Sequence, residues 1–424
     1  MENTIEQSLF TTLVNEEAES MLYVSYNAFA HESEYKHSYE PLMRVVSSPT
    51  KTVAVPDATV LSKQPYTKVC NTAVTAIELV GHAVGMGYIV TLEDGSFVLF
   101  DGGNPAGGSE DTHIWNLLNA LYRQNHKGKE PTKEDPIRIA AWVVTHSHGD
   151  HYAVFRKFLN NYGNRADFRM DYLIGNYPSA RAVNCVYNSD IGMMGAPGAI
   201  ANLQGVAAFT YLKVHSGQKY YFANLEVEVL MTYDDLAPAQ IKNQNDTSTV
   251  LRFSMQATSD GVTKVGDPYV MIWTGDANNQ QSRYMCAMYG DYLKANMVQV
   301  AHHGNIGCES DFYDSVGATV VWFPNTLQAY RSYLNPSSKD SNWVHKVDWK
   351  LINENPNTKY VYVSGGADDV GGNLGFNLTL PFGNDGLPAY DDIYNTLEGR
   401  DAKLEYVINT VTGGVAIKPP HTWQ

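Results

Sequence analysis

The sequence predicts an α/β protein built as an αββα sandwich of two mixed β-sheets. Apolar, β-branched runs alternate with amphipathic helical segments in two successive halves of the chain, which is the pattern of sheets covered by helices. Side chains of the metal-ligand type also follow directly after several of these runs. Because parallel strands end at the same edge of a sheet, this fold would gather those side chains into one site.

The chain divides into three predicted parts: a β-rich N-terminal extension over residues 1–75, a central domain over residues 76–365, and a C-terminal extension over residues 366–424 packed on it. The central domain opens with a hairpin over residues 76–103, whose turn lies at residues 93–96. The other predicted elements are helix 111–124, strand 137–144, helix 152–162, strands 219–222, 226–230 and 269–276, helix 280–295, strands 297–304 and 319–323, helix 343–352 and strand 359–363.

The densest group of potential ligands lies between a predicted strand and a predicted helix, in the segment Thr-His-Ser-His-Gly-Asp-His at residues 145–151. It contains His146, His148, Asp150 and His151. Imidazole and carboxylate groups suit zinc and other first-row divalent ions. A turn between a strand and a helix lets several side chains converge on one point, so the segment predicts a metal site rather than a solvated loop.

Two later strands end in further groups of this kind. Residues 269–276 end in Gly275 and Asp276, and residues 297–304 end in a histidine pair, His302 and His303. A carboxylate at the end of a buried strand is costly unless it is paired or binds a cation. Gly-Asp alone is typical of an ordinary turn, but strand-end groups in this order indicate a shared site.

These motifs resemble those of the metallo-β-lactamase-fold hydrolases. The likeness is closest to the branch of the DNA-uptake protein hydrolase domain and the phosphorylcholine esterases, and it covers roughly residues 76–365. Residues 145–151 match the family signature His-x-His-x-Asp-His without a gap. The other matching segments are the Asp-Gly-Gly that ends residues 97–103, the Asn-x-x-Ser-x-Val of residues 245–251, and the last two metal motifs at residues 274–276 and 302–304.

The resemblance implies a site for two divalent metal ions, zinc in the first instance with manganese or iron as alternatives. One ion is expected on His146, His148 and a late histidine, the other on Asp150 and His151, with Asp276 bridging them. Adjacent strand residues point to opposite faces, so only one of His302 and His303 is expected to be a ligand. His303 is favoured as that ligand, and His302 is expected to support a ligand or face the substrate. The expected catalytic residues, acting with a metal-activated water, are Asp150, Asp276 and His302.

Three further residues are candidates for support or substrate contact. The resemblance implies that Asp101 orients a ligand or the signature loop, although an aspartate before Gly-Gly is also typical of a turn. Asn245 and Ser248 are candidate contacts to a phosphate or an oxyanion, although Asn-Asp is equally common in structural turns.

The chain departs from the family pattern in two places. Many members carry another metal-binding histidine between the signature and the Gly-Asp motif, where this chain has only His215. The surroundings of His215 indicate a turn, so we expect a surface histidine, and residues 230–235 offer only carboxylates. The branch also often has His-Pro after the last motif, where Asn335 precedes Pro336 here. Looser binding of one ion, or the loss of a substrate-contacting histidine, is therefore expected.

Composition and charge exclude several classes of binding partner. With 30 Lys and Arg residues against 45 Asp and Glu, the formal net charge is −15, which disfavours binding to the phosphates of extended DNA or RNA. No apolar run is long enough to cross a membrane, and four widely spaced cysteines without a CxxC pair argue against a disulfide framework. With no signal-peptide pattern at its start, the expectation is a cytoplasmic enzyme acting on a small-molecule substrate, its oligomeric state left open.

Three functions remain open at this point. The branch resemblance favours a metal-dependent hydrolase of a small phosphoester or phosphodiester. The first alternative is a hydrolase of a lactone, thioester or other carbonyl substrate, although such relatives more often keep the histidine missing here. The second is a non-catalytic metal-containing binding protein or a diiron redox protein. Diiron relatives have a glutamate in place of His148, and a binding protein would be expected to lose ligands that are all present here.

Overall fold

The computed structural model describes residues 58–77, 85–105, 108–178, 198–235, 244–325 and 350–358, with Met194, Val347 and short strands elsewhere. In chain order the strands are β1 (Ser20–Tyr23), β2 (Arg44–Ser47), β3 (Ala58–Leu61), β4 (Ala73–Ala76), β5 (Tyr88–Thr91), β6 (Phe97–Phe100), β7 (Ile137–Val143), β8 (Phe168–Gly175), β9 (Thr210–Lys213), β10 (Gln218–Phe222), β11 (Leu225–Met231), β12 (Val250–Met255), β13 (Tyr269–Trp273), β14 (Met297–Gln299), β15 (Val320–Phe323), β16 (Tyr360–Val363), β17 (Asn373–Phe376), β18 (Leu378–Thr379), β19 (Ile393–Thr396), β20 (Glu405–Ile408) and β21 (Val415–Lys418). The α-helices are α1 (Glu110–Asn125), α2 (Gly149–Tyr162), α3 (Ala199–Gln204), α4 (Asn279–Tyr289) and α5 (Ser310–Val316).

Within these described residues the strands form two large mixed sheets. Sheet I has the order β21-β20-β4-β5-β6-β7-β8-β9, and sheet II has the order β18-β16-β15-β14-β13-β12-β11-β10-β3. Strands β6 to β9 are parallel in sheet I, and β13 to β16 are parallel in sheet II. The sheets face each other and carry helices on their outer sides, so the predicted αββα sandwich of two mixed sheets is confirmed.

Apolar side chains fill three layers between these elements. Between the sheets, Tyr88 of sheet I packs on Trp273 of sheet II, with ring centroids 4.8 Å apart. On the outer side of sheet I, α1 and α2 cover Trp142, whose ring lies 4.9 Å from that of Phe155. On the outer side of sheet II, α4 and α5 pack around Ile272. Burying one such side chain stabilises the fold by about 1.5–3 kcal/mol, so the layers hold the sheets at a fixed distance.

Two helices differ from the prediction at one end. Helix α2 begins at Gly149 rather than at residue 152, so Asp150 and His151 lie in its first turn. Helix α4 ends at Tyr289 rather than at residue 295, because Gly290 adopts a φ of 47° that a right-handed helix cannot contain. A short 3₁₀ turn over Gly290–Leu293 follows it.

Strands from both predicted extensions join the two sheets. β3 pairs with β10 in sheet II, and β20 pairs with β4 and β21 in sheet I. Most of the predicted helix at residues 343–352 lies outside the described residues. The domain boundaries at residues 75 and 365 therefore stay a prediction. None of the helices in the described part of the chain has the length and apolar character needed to span a bilayer.

Candidate metal centre

The predicted ligands meet at one edge of the sandwich. In sheet I, Asp101 follows β6 and the segment 145–151 follows β7, while in sheet II Asp276 follows β13 and His302 follows β14. Within each sheet these strands are parallel, so their ends lie at the same edge. The two edges are joined where the Thr249 N–H donates to the first carbonyl of the segment 145–151 at 3.0 Å.

The side chains predicted to be ligands form two groups. One contains His146, His148 and Asp276, and the other contains Asp150, His151 and His303. In the first group, Nε2 of His146 lies 3.0 Å from Nδ1 of His148. In the second, Nε2 of His303 lies 3.2 Å from Oδ2 of Asp150. Either group has the donors to hold a metal ion.

Asp276 lies between the two groups and turns one oxygen to each. Its Oδ2 lies 3.8 Å from Nε2 of His146. Its Oδ1 lies 3.3 Å from Nε2 of His151 and 3.5 Å from Nε2 of His303. The late histidine therefore joins the second group, not the first as the sequence led us to expect. Asp276 has the position of a carboxylate shared by two cation sites.

Hydrogen bonds to the opposite ring nitrogen fix the tautomer of two ligands in the second group. Nδ1 of His151 donates to the Asp101 carboxylate at 2.8 Å, and Nδ1 of His303 donates to the Pro324 carbonyl at 2.9 Å. Because these oxygens accept, each Nδ1 carries a proton, and in the neutral ring each Nε2 keeps its lone pair. This is the form of imidazole that binds a metal ion through Nε2.

The polar atoms at the middle of the centre fit a cation. Nε2 of His151 and Oδ1 of Asp276 are buried, and neither makes a hydrogen bond within the described part of the chain. Buried polar atoms without a partner are costly, and when the ring is neutral the lone pair of Nε2 faces a carboxylate oxygen and repels it. A divalent cation between the two atoms removes both penalties, and nitrogen and oxygen donors of this kind suit zinc and its first-row neighbours.

The pKa values of His151, His303 and Asp276 are shifted in directions that favour bound positive charge. Burial lowers the pKa of His303, but the carboxylates of Asp276 and Asp150 outweigh it and raise that pKa to about 10. Burial also opposes protonation of His151, yet Asp276 and Asp101 hold its pKa well above the usual range. Burial raises the pKa of Asp276, but His151 and His303 hold it well below its usual range. Protons and cations therefore compete for the same place.

Asp101 and Thr145 support the ligands of both groups. The buried Asp101 carboxylate accepts from the Thr145 N–H at 2.7 Å and from Thr145 Oγ1 at 2.9 Å, besides the bond to His151. Thr145 Oγ1 also lies 3.1 Å from Nδ1 of His146 and, because its own proton points to Asp101, it accepts a hydrogen bond from that ring. One carboxylate thus orients a histidine in each group. Thr145 is not among the residues predicted for the site, and its only signal in the sequence is its place at the start of the signature.

The histidine pair does not continue strand β14. His302 and His303 lie in the turn Ala301–Gly304 with φ values of 52° and 55°, a left-handed region that residues other than glycine seldom adopt. We expected alternation of side chains along a strand to turn one of the two rings away from the site. That expectation is wrong because the pair does not lie in a strand. Nε2 of His302 also approaches Asp276, at 3.8 Å from Oδ2. His303 is buried, whereas 26% of the His302 side chain is exposed.

Asn245 and Ser248 both contact residues of the centre. Nδ2 of Asn245 lies 3.0 Å from Nε2 of His302. Because Nδ1 of that ring donates a hydrogen bond to the Ile306 carbonyl, Nε2 is the acceptor and Asn245 is the donor. Oγ of Ser248 accepts from the Asp276 N–H at 3.1 Å and lies 3.4 Å from Nδ1 of His146. Ser248 is fully buried, so it supports ligands and has no surface to offer a substrate.

His215 is buried, not on the surface as expected. Nδ1 of His215 lies 2.7 Å from Oδ2 of Asp234, which also accepts from Asn176 Nδ2 at 2.7 Å. The turn that carries His215 is covered because the Gly217 N–H donates to a carbonyl of β11, a contact that the local sequence does not reveal. In the described part of the chain, neither Asp234 nor Asp235 belongs to a ligand group, so the missing histidine is not replaced from residues 230–235.

Comparison with protein-family models and with curated proteins gives no match. Similar solved structures include the metallo-β-lactamase-fold protein YhfI from Bacillus subtilis, at 13% identity over 60% of this chain and 85% of that one, with a TM-score of 0.35. Yeast PDE1 aligns at 11% identity over 70% of this chain and 98% of that one, with a TM-score of 0.38. CmlA, a diiron β-hydroxylase from Streptomyces venezuelae, aligns at 12% identity over 61% of this chain and 45% of that one, with a TM-score of 0.32. The fold itself is established by the sheet order and the helix layers: an αββα sandwich with histidine and aspartate groups at one edge.

Proposed function

We propose that the protein is a hydrolase that binds two divalent cations, zinc or else manganese or iron, and cleaves small phosphoesters, phosphodiesters above all. The observation that carries this proposal is the position of Asp276, whose two oxygens face two separate ligand groups. A structural zinc site needs only one closed set of ligands. Two neighbouring sites that share a carboxylate are typical of hydrolytic centres.

The residues that would hold the cations are His146, His148 and Asp276 for one, and Asp150, His151, His303 and the shared Asp276 for the other. Cations bound in this way lower the pKa of a water and offset negative charge on substrate oxygens. The protein contributes orientation. Asp101 holds the ring of His151, and the Pro324 carbonyl holds the ring of His303, so both rings are set before a cation arrives.

His302 is the side chain proposed to meet the substrate. Its ring is held from two sides, by Asn245 Nδ2 at 3.0 Å and by the Ile306 carbonyl at 2.9 Å. It is nevertheless partly exposed, and its Nε2 lies 3.8 Å from Asp276 Oδ2. A substrate placed beside Asp276 is therefore within reach of His302. A ring fixed in advance contacts the substrate at a small cost in conformational entropy.

Charge supports a small substrate. A net charge of −15 repels a long polyanion and slows its encounter with the protein. A small phosphodiester carries one negative charge, which a cationic centre can offset locally. The carbonyl-substrate alternative is less well supported, because relatives of that kind more often carry a ligand histidine near residues 230–235. Here Asp234 occupies that region and pairs with His215.

The direct test is the turnover of bis-(p-nitrophenyl) phosphate by the full chain, stripped of metal and reloaded with zinc or manganese. A phosphomonoester, a lactone and plasmid DNA are assayed beside it. Asp276→Ala is the site variant. Asp111→Asn is the matched control, because Asp111 is also a buried carboxylate but contacts Lys157 and Asn161 instead of the ligands.

We expect metal-dependent diester cleavage by the wild type and by Asp111→Asn, none by Asp276→Ala, and an intact plasmid. Lactone cleavage without diester cleavage would favour the carbonyl alternative. Rapid metal-dependent degradation of DNA would contradict the argument from charge. Elemental analysis that finds no bound metal, before or after reloading, would refute the proposed centre.

A further inference from the structure

The buried side chain of Gln299, at the end of β14, is hydrogen-bonded to the turn that follows β13. Asp276 follows β13, and His302 and His303 follow β14. β13 and β14 are paired in parallel at Met271 with Met297 and at Ile272 with Val298. Beyond these pairs the side-chain amide of Gln299 takes over the role of a strand partner. Its Oε1 accepts from the backbone N–H groups of Thr274 and Gly275, each at 2.9 Å.

The same side chain also donates. Nε2 of Gln299 gives one hydrogen bond to the Gly275 carbonyl at 3.1 Å and one to the Val300 carbonyl at 2.5 Å. The Gly275 carbonyl accepts from the His302 N–H as well, at 3.1 Å. The peptide groups on both sides of Gly275 are therefore held by one fully buried amide. The residue next along the chain is Asp276.

Gly275 has little freedom to compensate if this amide is lost. Its φ is 55°, in the left-handed region, and a Cβ placed on it would lie 2.9 Å from the Cβ of Thr145, which follows β7 of sheet I. The turn thus runs between sheet I on one side and Gln299 on the other. The direction of the Asp276 carboxylate follows from how this turn is held.

We infer that Gln299 is a positioning residue: it sets the orientation of Asp276 relative to His302 and His303, and with it the separation of two bound cations. The inference rests on the two-cation proposal and adds to it a residue that contacts neither substrate nor cation. Only an amide offers an acceptor for the two N–H groups and donors for the two carbonyls. A side chain without these groups leaves the turn free to rotate, and Asp276 then no longer presents one oxygen to each ligand group.

The test uses manganese, because two Mn(II) ions that share a carboxylate give an exchange-coupled electron paramagnetic resonance spectrum, whereas an isolated ion gives a simple hyperfine sextet. We expect the coupled spectrum from the wild type. Gln299→Met should give the isolated-ion spectrum and bind the second ion about 10–100-fold more weakly, the range for removal of a group that orients ligands. Gln299→Asn is a second, milder variant, because it keeps a buried amide but withdraws it by about 1.5 Å.

Asn224→Leu is the matched control. Asn224 is also a buried amide that bridges backbone and side chain, accepting from the Glu93 N–H at 3.0 Å and donating to Thr72 Oγ1 at 2.6 Å. It lies in the β10–β11 turn, at the opposite edge of the sandwich. Both substitutions should lower the melting temperature, but only those at Gln299 should change the spectrum and the affinity for manganese.

The outcomes separate the two proposals. A folded Gln299→Met or Gln299→Asn variant with the wild-type spectrum and affinity would overturn the role of Gln299 while leaving the two-cation centre in place. Loss of the coupled spectrum in Asn224→Leu would also overturn it, because general loosening of the fold would then explain the effect. Wild-type protein that binds manganese without any coupled spectrum would refute the two-cation centre and the inference with it.

Discussion

Substitution of Asp101 by asparagine should weaken metal binding through a change of tautomer, with little change in the fold. The backbone of residue 101 has a φ of 54°, which asparagine tolerates as well as aspartate. An asparagine that keeps its oxygen toward the Thr145 N–H places its NH₂ where Oδ2 now faces Nδ1 of His151. Nδ1 must then accept, so in the neutral ring the proton moves to Nε2, the atom that faces Asp276.

A ligand nitrogen that carries a proton cannot bind a cation until the tautomer is reversed. Loss of a group that orients a ligand costs about 10–100-fold in metal affinity, which corresponds to about 1.4–2.8 kcal/mol. The measurement is a competition titration with zinc, together with ¹H–¹⁵N spectra of the imidazoles that report which nitrogen is protonated. Asp111→Asn is again the control and should change neither. Wild-type affinity in Asp101→Asn, with Nδ1 of His151 still protonated, would refute the reasoning.

Three further outcomes are expected from the same geometry. Asp276→Ala should remove the ligand proposed to be shared and abolish turnover, while the circular dichroism spectrum stays that of the wild type. Retained turnover would show that Asp276 is an ordinary turn residue. Gly275→Ala should lower the free energy of unfolding by more than Gly317→Ala, because the two glycines have similar φ values but only a Cβ at Gly275 would lie 2.9 Å from a neighbour. For Gly317→Ala a loss of about 1–2 kcal/mol is expected from the left-handed backbone alone. Equal losses of free energy in denaturant titrations would show that Thr145 moves to make room for the new Cβ. The pKa of His303 is raised to about 10 from an ordinary 6.5, so its protonation stabilises the metal-free fold fully below pH 6.5, and this contribution is lost as the pH rises towards 10. Because a cation must displace that proton, metal affinity should rise with pH over the same window. A metal affinity that does not depend on pH would contradict this competition between proton and cation.

The convergence of the ligands could be predicted from the sequence because it depends on strand ends. Polar side chains follow the apolar run at residues 137–144 and end the run at residues 269–276. Within each sheet, parallel pairing brings the ends of such strands to one edge, and the face-to-face packing of the two sheets brings the two edges together. The structure confirms the sandwich on which that expectation was built. The arrangement of Asp276 between two groups is a matter of side-chain direction, which the spacing of motifs does not fix.

The parts that escaped prediction depend on contacts between distant segments. Alternation of side chains holds only within a strand, and β14 ends at Gln299, before the histidine pair begins. In this left-handed turn the rings of His302 and His303 donate hydrogen bonds to the carbonyls of Ile306 and Pro324, neither of which belongs to a ligand motif. Gln299 itself stands in an apolar run where a glutamine looks like an ordinary solvent-facing residue.

Electrostatics gives the strongest reason to expect that this centre is completed by cations. Asp101 and Asp276 are fully buried, and Asp150 is largely so, so three carboxylates would stand together among neutral imidazoles at high pH. Buried charges of one sign are destabilising unless they are offset. Protons on His151 and His303 offset part of this charge, as their raised pKa values indicate. Two divalent cations offset all of it without requiring either ring to change its tautomer, so added zinc or manganese should raise the melting temperature most at alkaline pH, where those protons are lost.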